Sequence, residues 1–167
     1  MAVILGIDPG THRLGWGVIS GSSSKQKYLA SGCIENKPGT TPDIYLPNIY
    51  QEISSIIAKY NPDIIGIESL LFQKNVNTAI PVAEARGIIR LIAASNHISV
   101  IESAPNTIKL AVAGSGNANK GEVTRMVGLL LGIEVSKKRD DELDALAVAI
   151  STIVTNKYAK KITLQTL

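Results

Sequence analysis

Cysteine is almost missing from this chain of 167 residues: Cys33 stands alone. Intramolecular disulfides are therefore excluded, and a reducing, cytoplasmic setting is expected. Cys33 falls in an expected strand, where its simplest role is that of a small core residue. Histidine is also scarce; His12 and His97 read as turn or surface residues rather than ligands. No apolar run approaches the roughly 18–20 residues of a membrane span. The first residues lack the basic-then-apolar pattern of a secretory signal, so no membrane role is expected. Internal repeats and low-complexity segments are absent. Neither sign of charge dominates: the formal net charge is +3, compatible with a polyanionic partner and equally with surplus surface lysines.

What is present is an apolar content of 45%, enough for a globular core. The length suits one domain, placed here at 1–156, with a basic tail at 157–167 where disorder is expected. Val3–Asp8 is a near-continuous apolar run, the pattern of a strand covered on both faces. Leu14–Ser20 and Lys27–Glu35 follow after short connections, which predicts an antiparallel meander. From Asp43 the apolar period becomes helical, through Ile44, Ile49, Ile53, Ile56, Ile57 and Tyr60. Pro47 is expected to kink this helix or delay its start, and Asn61-Pro62 ends it. Asp63–Glu68 is a second buried strand. Ser69–Thr78 reads as a loop, Ala79–Asn96 as a helix apolar around much of its circumference, and Ile98–Glu102 as a short strand. Further helices are expected from Pro105, over Val123–Leu131, and over Asp140–Thr155. The run Lys137-Lys138-Arg139 reads as a basic turn. A meander followed by strand–helix alternation predicts an α/β fold, a mixed sheet flanked by helices.

Acids stand where cores avoid them. Asp8 and Glu68 each end a buried strand, and Asp140-Asp141-Glu142-Leu143-Asp144 opens a helix. Asp141 and Asp144, spaced i,i+3, share one helical face; Asp140 and Asp144, spaced i,i+4, can do so too. Each has a plain alternative: Asp8 as a turn cap, Glu68 as a loop acid, Asp141 and Asp144 as capping residues. Together they form a pattern. Ligands of open α/β sheets bind at the carboxyl edge, where Asp8 and Glu68 both fall. Carboxylates without His or Cys suit hard divalent cations, Mg²⁺ or Mn²⁺. A pair of such ions about 4 Å apart serves in-line phosphodiester displacement.

Gly6-Ile7-Asp8-Pro9-Gly10-Thr11, Ile67-Glu68, Lys74-Asn75, Ala85-Arg86-Gly87 and Asp141-x-x-Asp144-Ala145-Leu146-Ala147 together resemble the RuvC Holliday-junction resolvases. The resemblance spans about residues 3–152. It implies a ribonuclease-H-like fold with a five-stranded mixed sheet, and a homodimer acting in recombination and DNA repair. The implied activity is a Mg²⁺-dependent crossover junction endodeoxyribonuclease that nicks four-way DNA junctions symmetrically. The resemblance assigns catalysis and the binding of two Mg²⁺ ions, with Mn²⁺ as a substitute, to Asp8, Glu68, Asp141 and Asp144. It leaves Asp140 as a neighbour in the helix cap. Where the family has a junction-wedging aromatic, this chain has Leu71, with Phe72 adjacent; either serves as the wedge, or Phe72 anchors its loop. Lys109 and Lys120 match family positions for DNA binding, and Lys74 stands beside the loop; each lysine read alone also fits a solvated helix face. A branch-migration complex of RuvA and RuvB is implied as partner. The helix Ala79–Asn96 is the candidate dimer interface, or else is buried within the monomer. Two rivals resemble this opening, one through Asp-x-Gly-Thr-x-x-Leu-Gly and the other through Gly-Ile-Asp-x-Gly-Thr. A ribosomal-RNA-processing nuclease of the same fold lacks the final Asp-x-x-Asp-Ala-Leu-Ala helix in this form. An ATP-binding protein of the actin, Hsp70 and sugar-kinase superfamily needs two large lobes.

Overall fold

The computed structural model describes residues 1–10, 12–37, 39–69 and 76–163, and the side chains of all these except 76–78 and 157–163. Leu71, Phe72 and Lys74 lie outside the described residues. One five-stranded mixed sheet has the order β3-β2-β1-β4-β5. Strands β1 (Ala2–Pro9), β2 (Arg13–Ser22) and β3 (Lys25–Glu35) form the antiparallel meander. Strands β4 (Ile64–Glu68) and β5 (Ser99–Ser103) run parallel to β1.

Alternation along β1 and β4 divides the core in two. Leu5, Ile7, Ile65 and Ile67 point toward helices α1 (Pro42–Tyr60) and α2 (Val76–Ser95). Ile4 and Ile64 point toward α3 (Pro105–Ala113), α4 (Lys120–Leu131) and α5 (Asp140–Thr163). Both faces are covered, which is why β1 reads as an unbroken apolar run.

Helix α5 lies against the sheet at backbone distance. A Cβ on Gly6 would stand 2.2 Å from the Ala145 carbonyl oxygen and 2.5 Å from the Ala149 nitrogen. One on Gly15 would stand 1.9 Å from the Asp141 carbonyl oxygen. Gly6 in β1, with Ala145 and Ala149 opposite, and Gly15 in β2, with Asp141 opposite, therefore fix the height at which the start of α5 crosses the sheet.

Three expectations need correction. Helix α1 starts at Pro42 and continues through Pro47 without delay. A proline this near the N-terminus removes a single interior bond, and burial of the apolar stripe offsets it. That stripe is Tyr45, Ile49, Ile53, Ile56 and Ile57, whereas Ile44 is 64% exposed. Helix α2 begins at Val76, so residues 76–78 are helical rather than loop. Helix α5 runs past Thr155 to Thr163, a stretch that contains neither glycine nor proline to stop it. The apolar circumference of α2 is covered on one side only. Val82, Ala85, Ile89, Ile92 and Ala93 are buried against the sheet, while Ile80 and Leu91 stay 68% and 57% exposed.

Candidate active site

Ile7 of β1 pairs in parallel register with Ile67 of β4, so the next residues, Asp8 and Glu68, emerge side by side at the carboxyl edge. On its other side Asp8 pairs with Gly15. The missing side chain there admits the first turn of α5, which carries Asp141 and, one turn later, Asp144 to the same edge. All four expected acids thus share one neighbourhood. Burial, followed by the charges of Glu68, Asp144 and Asp141, pushes the Asp8 carboxyl up to about 7 against the opposing pull of Lys120. Burial and Asp144 raise Glu68, opposed by Lys109 and Arg86. Burial also raises Asp144, with Lys120 opposing. The protein's own cations therefore leave this edge with unbalanced negative charge.

Among the described residues, no three His, Cys, Asp or Glu side chains are drawn together closely enough to form a ready-made metal cage. The donor chemistry nonetheless fits hard cations: the converging groups are carboxylate oxygens whose charge is incompletely neutralised.

Two lysines border the acids. Lys120 opens α4, a start fixed by a capping box: Asn119 Oδ1 accepts from the Glu122 amide at 3.0 Å, and Glu122 Oε2 accepts from the Asn119 amide at 2.8 Å. Its Nζ lies 3.2 Å from Asp144 Oδ2 and 3.1 Å from Asp140 Oδ2. Asp140 is thus a counter-ion to Lys120 as well as a first-turn residue of α5. Lys109 of α3 joins Lys120, Glu68 and Asp144 around a cleft of about 230 Å³ with an apolar floor of Ile108 and Val123. On the opposite flank Arg13 Nη1 approaches Asp141 Oδ2 at 3.9 Å and Arg13 Nε approaches Glu35 at 3.8 Å. A wider cleft of about 770 Å³ opens there, lined by His12, Arg13, Glu35, Lys37 and Asp141 among others. Sequence reading missed Arg13, whose only signal was its place at the start of the second strand.

Behind the acids, Arg86 of α2 is 9% exposed. It donates to the Glu68 carbonyl and pairs with Glu102 at 2.8 Å. Its expected place in an Ala-Arg-Gly motif acquires a reason: it ties α2 to the end of β4.

The basic turn before α5 is not simply solvated. Lys137 pairs at the surface with Glu134 at 2.7 Å, but Lys138 turns inward, 2.8 Å from Tyr28 Oη and 3.4 Å from Glu142 Oε2. The Ser31 hydroxyl donates to Glu142 at 2.6 Å. Burial pushes the Glu142 carboxyl up, but Ser31, the Arg139 amide and Lys138 outweigh it and hold the group below the usual range. This network pins the first turn of α5 to β3. Glu142→Ala is expected to cost about 2–3 kcal/mol, because it leaves the largely buried Lys138 ammonium with the neutral Tyr28 hydroxyl and no counter-charge. Asp140→Ala, whose carboxylate is 75% exposed, is expected to cost under about 0.5 kcal/mol. Urea unfolding of the two variants checks the ranking.

Residues 4–152 match the family model described as crossover junction endodeoxyribonuclease RuvC. The protein of that name from Heliobacterium modesticaldum is 44% identical over 148 residues, 89% of this chain and 91% of the relative. The one from Pseudothermotoga lettingae is 41% identical over 147 residues, 88% and 91% of the two chains. Among solved structures, Thermus thermophilus RuvC in complex with Holliday junction substrate superimposes with a TM-score of 0.90. Its identity is 26%, with 95% of this chain and 97% of that one covered.

Proposed function

This chain belongs to the RuvC family of crossover junction endodeoxyribonucleases, and from that membership we propose a specific chemistry for its carboxyl edge. It resolves four-way DNA junctions by paired, symmetric nicks, with Asp8, Glu68, Asp141 and Asp144 as ligands of two Mg²⁺ ions. The observation that carries this reading is the parallel register that sets Asp8 beside Glu68 under the acidic turn of α5, with the Asp8 carboxyl pushed up to about 7.

When bound, the divalent ions supply Lewis acidity at the scissile phosphate and at the leaving 3′ oxygen; Mn²⁺ can substitute. The remaining work belongs to side chains. Asp8, held at the end of β1 by its pairing with Gly15 of β2, orients one ligand oxygen with little freedom to move. Lys109 and Lys120 line the cleft beside Glu68 and Asp144, where they hold a backbone phosphate and counter the charge that develops on it. Asp140 keeps Lys120 at the rim. Lys74 is assigned a phosphate contact, and Leu71 or Phe72 the wedge at the crossover.

A two-fold junction requires two sites in related orientation, which a C₂ homodimer supplies. The exposed Ile80 and Leu91 on the outer side of α2 suit such an interface. Leu91→Glu is expected to convert a dimer into monomers in analytical ultracentrifugation and to lower paired cutting. A dimer that persists in this variant would move the interface off α2. RuvA and RuvB are the proposed branch-migration partners, and the cytoplasm the proposed location. Among the described residues no helix is long and apolar enough to cross a membrane.

One gel assay tests the activity: a four-way junction, a linear duplex and a single-stranded RNA, each with Mg²⁺, beside an ATP-turnover control. Junction-selective cutting without ATP turnover is expected. Equal cutting of duplex and junction, or preference for the RNA, would overturn the resolvase reading.

A further inference from the structure

The row of paired residues at the carboxyl edge extends one strand beyond the acids. Gly66 of β4 pairs with Gly6 of β1 and with Ile101 of β5, and Ile101 packs into the core on the α5 side. Two residues further along each strand the same face carries Asp8, Glu68 and Ser103. Glu68 and Ser103 are direct register partners. Beyond them the two strand ends stay tied, with the Ser69 amide donating to the Ser103 carbonyl at 2.9 Å.

Ser103 is 3% exposed, and its hydroxyl is buried without a hydrogen-bond partner. A buried hydroxyl left in this state costs free energy, so it calls for an explanation. Ser151, the other such serine among the described residues, sits deep in α5, well past the acidic first turn. Ser103 instead stands one strand spacing, about 4.8 Å, from the backbone of Glu68 and on the same face. That distance lies within reach of a serine hydroxyl and a glutamate carboxylate. Two residues on, Pro105 lines the same cleft as Glu68. The backbone of Glu68 is already held from the opposite face, where Arg86 donates to its carbonyl.

We propose that Ser103 is a positioning residue of the metal site: its Oγ–H donates to the Glu68 carboxylate and fixes the orientation in which that group ligates a divalent ion. This rests on Glu68 being a ligand. The arrangement is a two-sided clamp, with Arg86 on the main chain and Ser103 on the side chain. It also accounts for the orphaned hydroxyl, which gains its acceptor once the Glu68 carboxylate takes up its ligating orientation. Hydrogen-bond partners of metal-bound carboxylates typically govern affinity by 10–100-fold.

The test is a Mn²⁺ titration of the full chain, followed through the electron paramagnetic resonance of the free ion, with metal-free melting measured in parallel. Wild type, Ser103→Ala, Glu68→Gln and the double variant are compared. Ser103→Ala is expected to weaken Mn²⁺ binding about 10-fold without lowering the metal-free melting temperature, and to add nothing in the Glu68→Gln background. Wild-type affinity in Ser103→Ala would overturn the proposal, as would an equal loss in the Glu68→Gln background. A Glu68→Gln variant that binds Mn²⁺ like wild type would overturn the metal reading itself, and this proposal with it.

Discussion

Asp8→Asn is expected to reduce junction nicking by at least about 10³-fold while changing junction affinity by less than about threefold. The carboxylate sits beside Glu68 and within the field of Asp144 and Asp141. Replacing it with an amide keeps the shape and removes the charge that a divalent ion needs. DNA affinity rests on phosphate contacts from basic side chains and does not pass through Asp8. The same substitution is expected to raise the metal-free melting temperature, because it removes an ionised group that burial and like charges disfavour. Activity and stability therefore move in opposite directions, which a purely structural aspartate would not produce. Single-turnover cleavage, a binding titration on an intact junction and a thermal melt give the three values. Mg²⁺-dependent cleavage retained by Asp8→Asn would remove Asp8 from the metal site.

The pH dependence of stability should be unusual, and magnesium should reverse it. The Asp8 carboxyl titrates near 3.8 in an unfolded chain and at about 7 in the fold. A group raised in this way favours folding below the lower value. That contribution is lost as pH rises toward the upper one and stays lost above it. Glu68 and Asp144, also raised, act in the same sense. The metal-free protein is accordingly expected to be less stable at pH 8 than at pH 5, by an amount on the order of a few kcal/mol. Mg²⁺ is expected to bind the ionised edge and to stabilise the fold by mass action, with a large effect at pH 8 and a small one at pH 5. Calorimetric melts in chelator and in magnesium at the two pH values test this. An equal magnesium shift at both would show that the ion is not held by these carboxyls. Asp8→Asn should flatten the metal-free profile.

Much of this was legible because it follows from local pattern. Two apolar runs that each end on an acid place Asp8 and Glu68 at one edge once the strands are parallel, and the parallel pairing follows from the long connection through α1. The i,i+3 spacing put Asp141 with Asp144. Contacts between elements distant in sequence were not legible. Lys120 meets Asp140 and Asp144 only because α4 begins against the first turn of α5. Lys138 looked like surface charge until Tyr28 and Glu142 enclosed it. Ser103 and Arg13 carry no motif; the place of the one comes from strand register and that of the other from the approach of Asp141 on α5. The expected stripe began at Ile44 and passed over Tyr45; the helix phase, with Tyr45 donating to Glu84, buries Tyr45 and leaves Ile44 exposed.

The most direct measurement is strand mapping on a synthetic four-way junction, with each of the strands end-labelled in turn and the products run on a denaturing gel in Mg²⁺ and in chelator. Cuts at symmetry-related positions in two opposed strands, present only with Mg²⁺ and absent from linear duplex of the same sequence, are the predicted result. Cleavage that persists in chelator, or that falls equally on linear duplex, would contradict a junction resolvase built around Asp8.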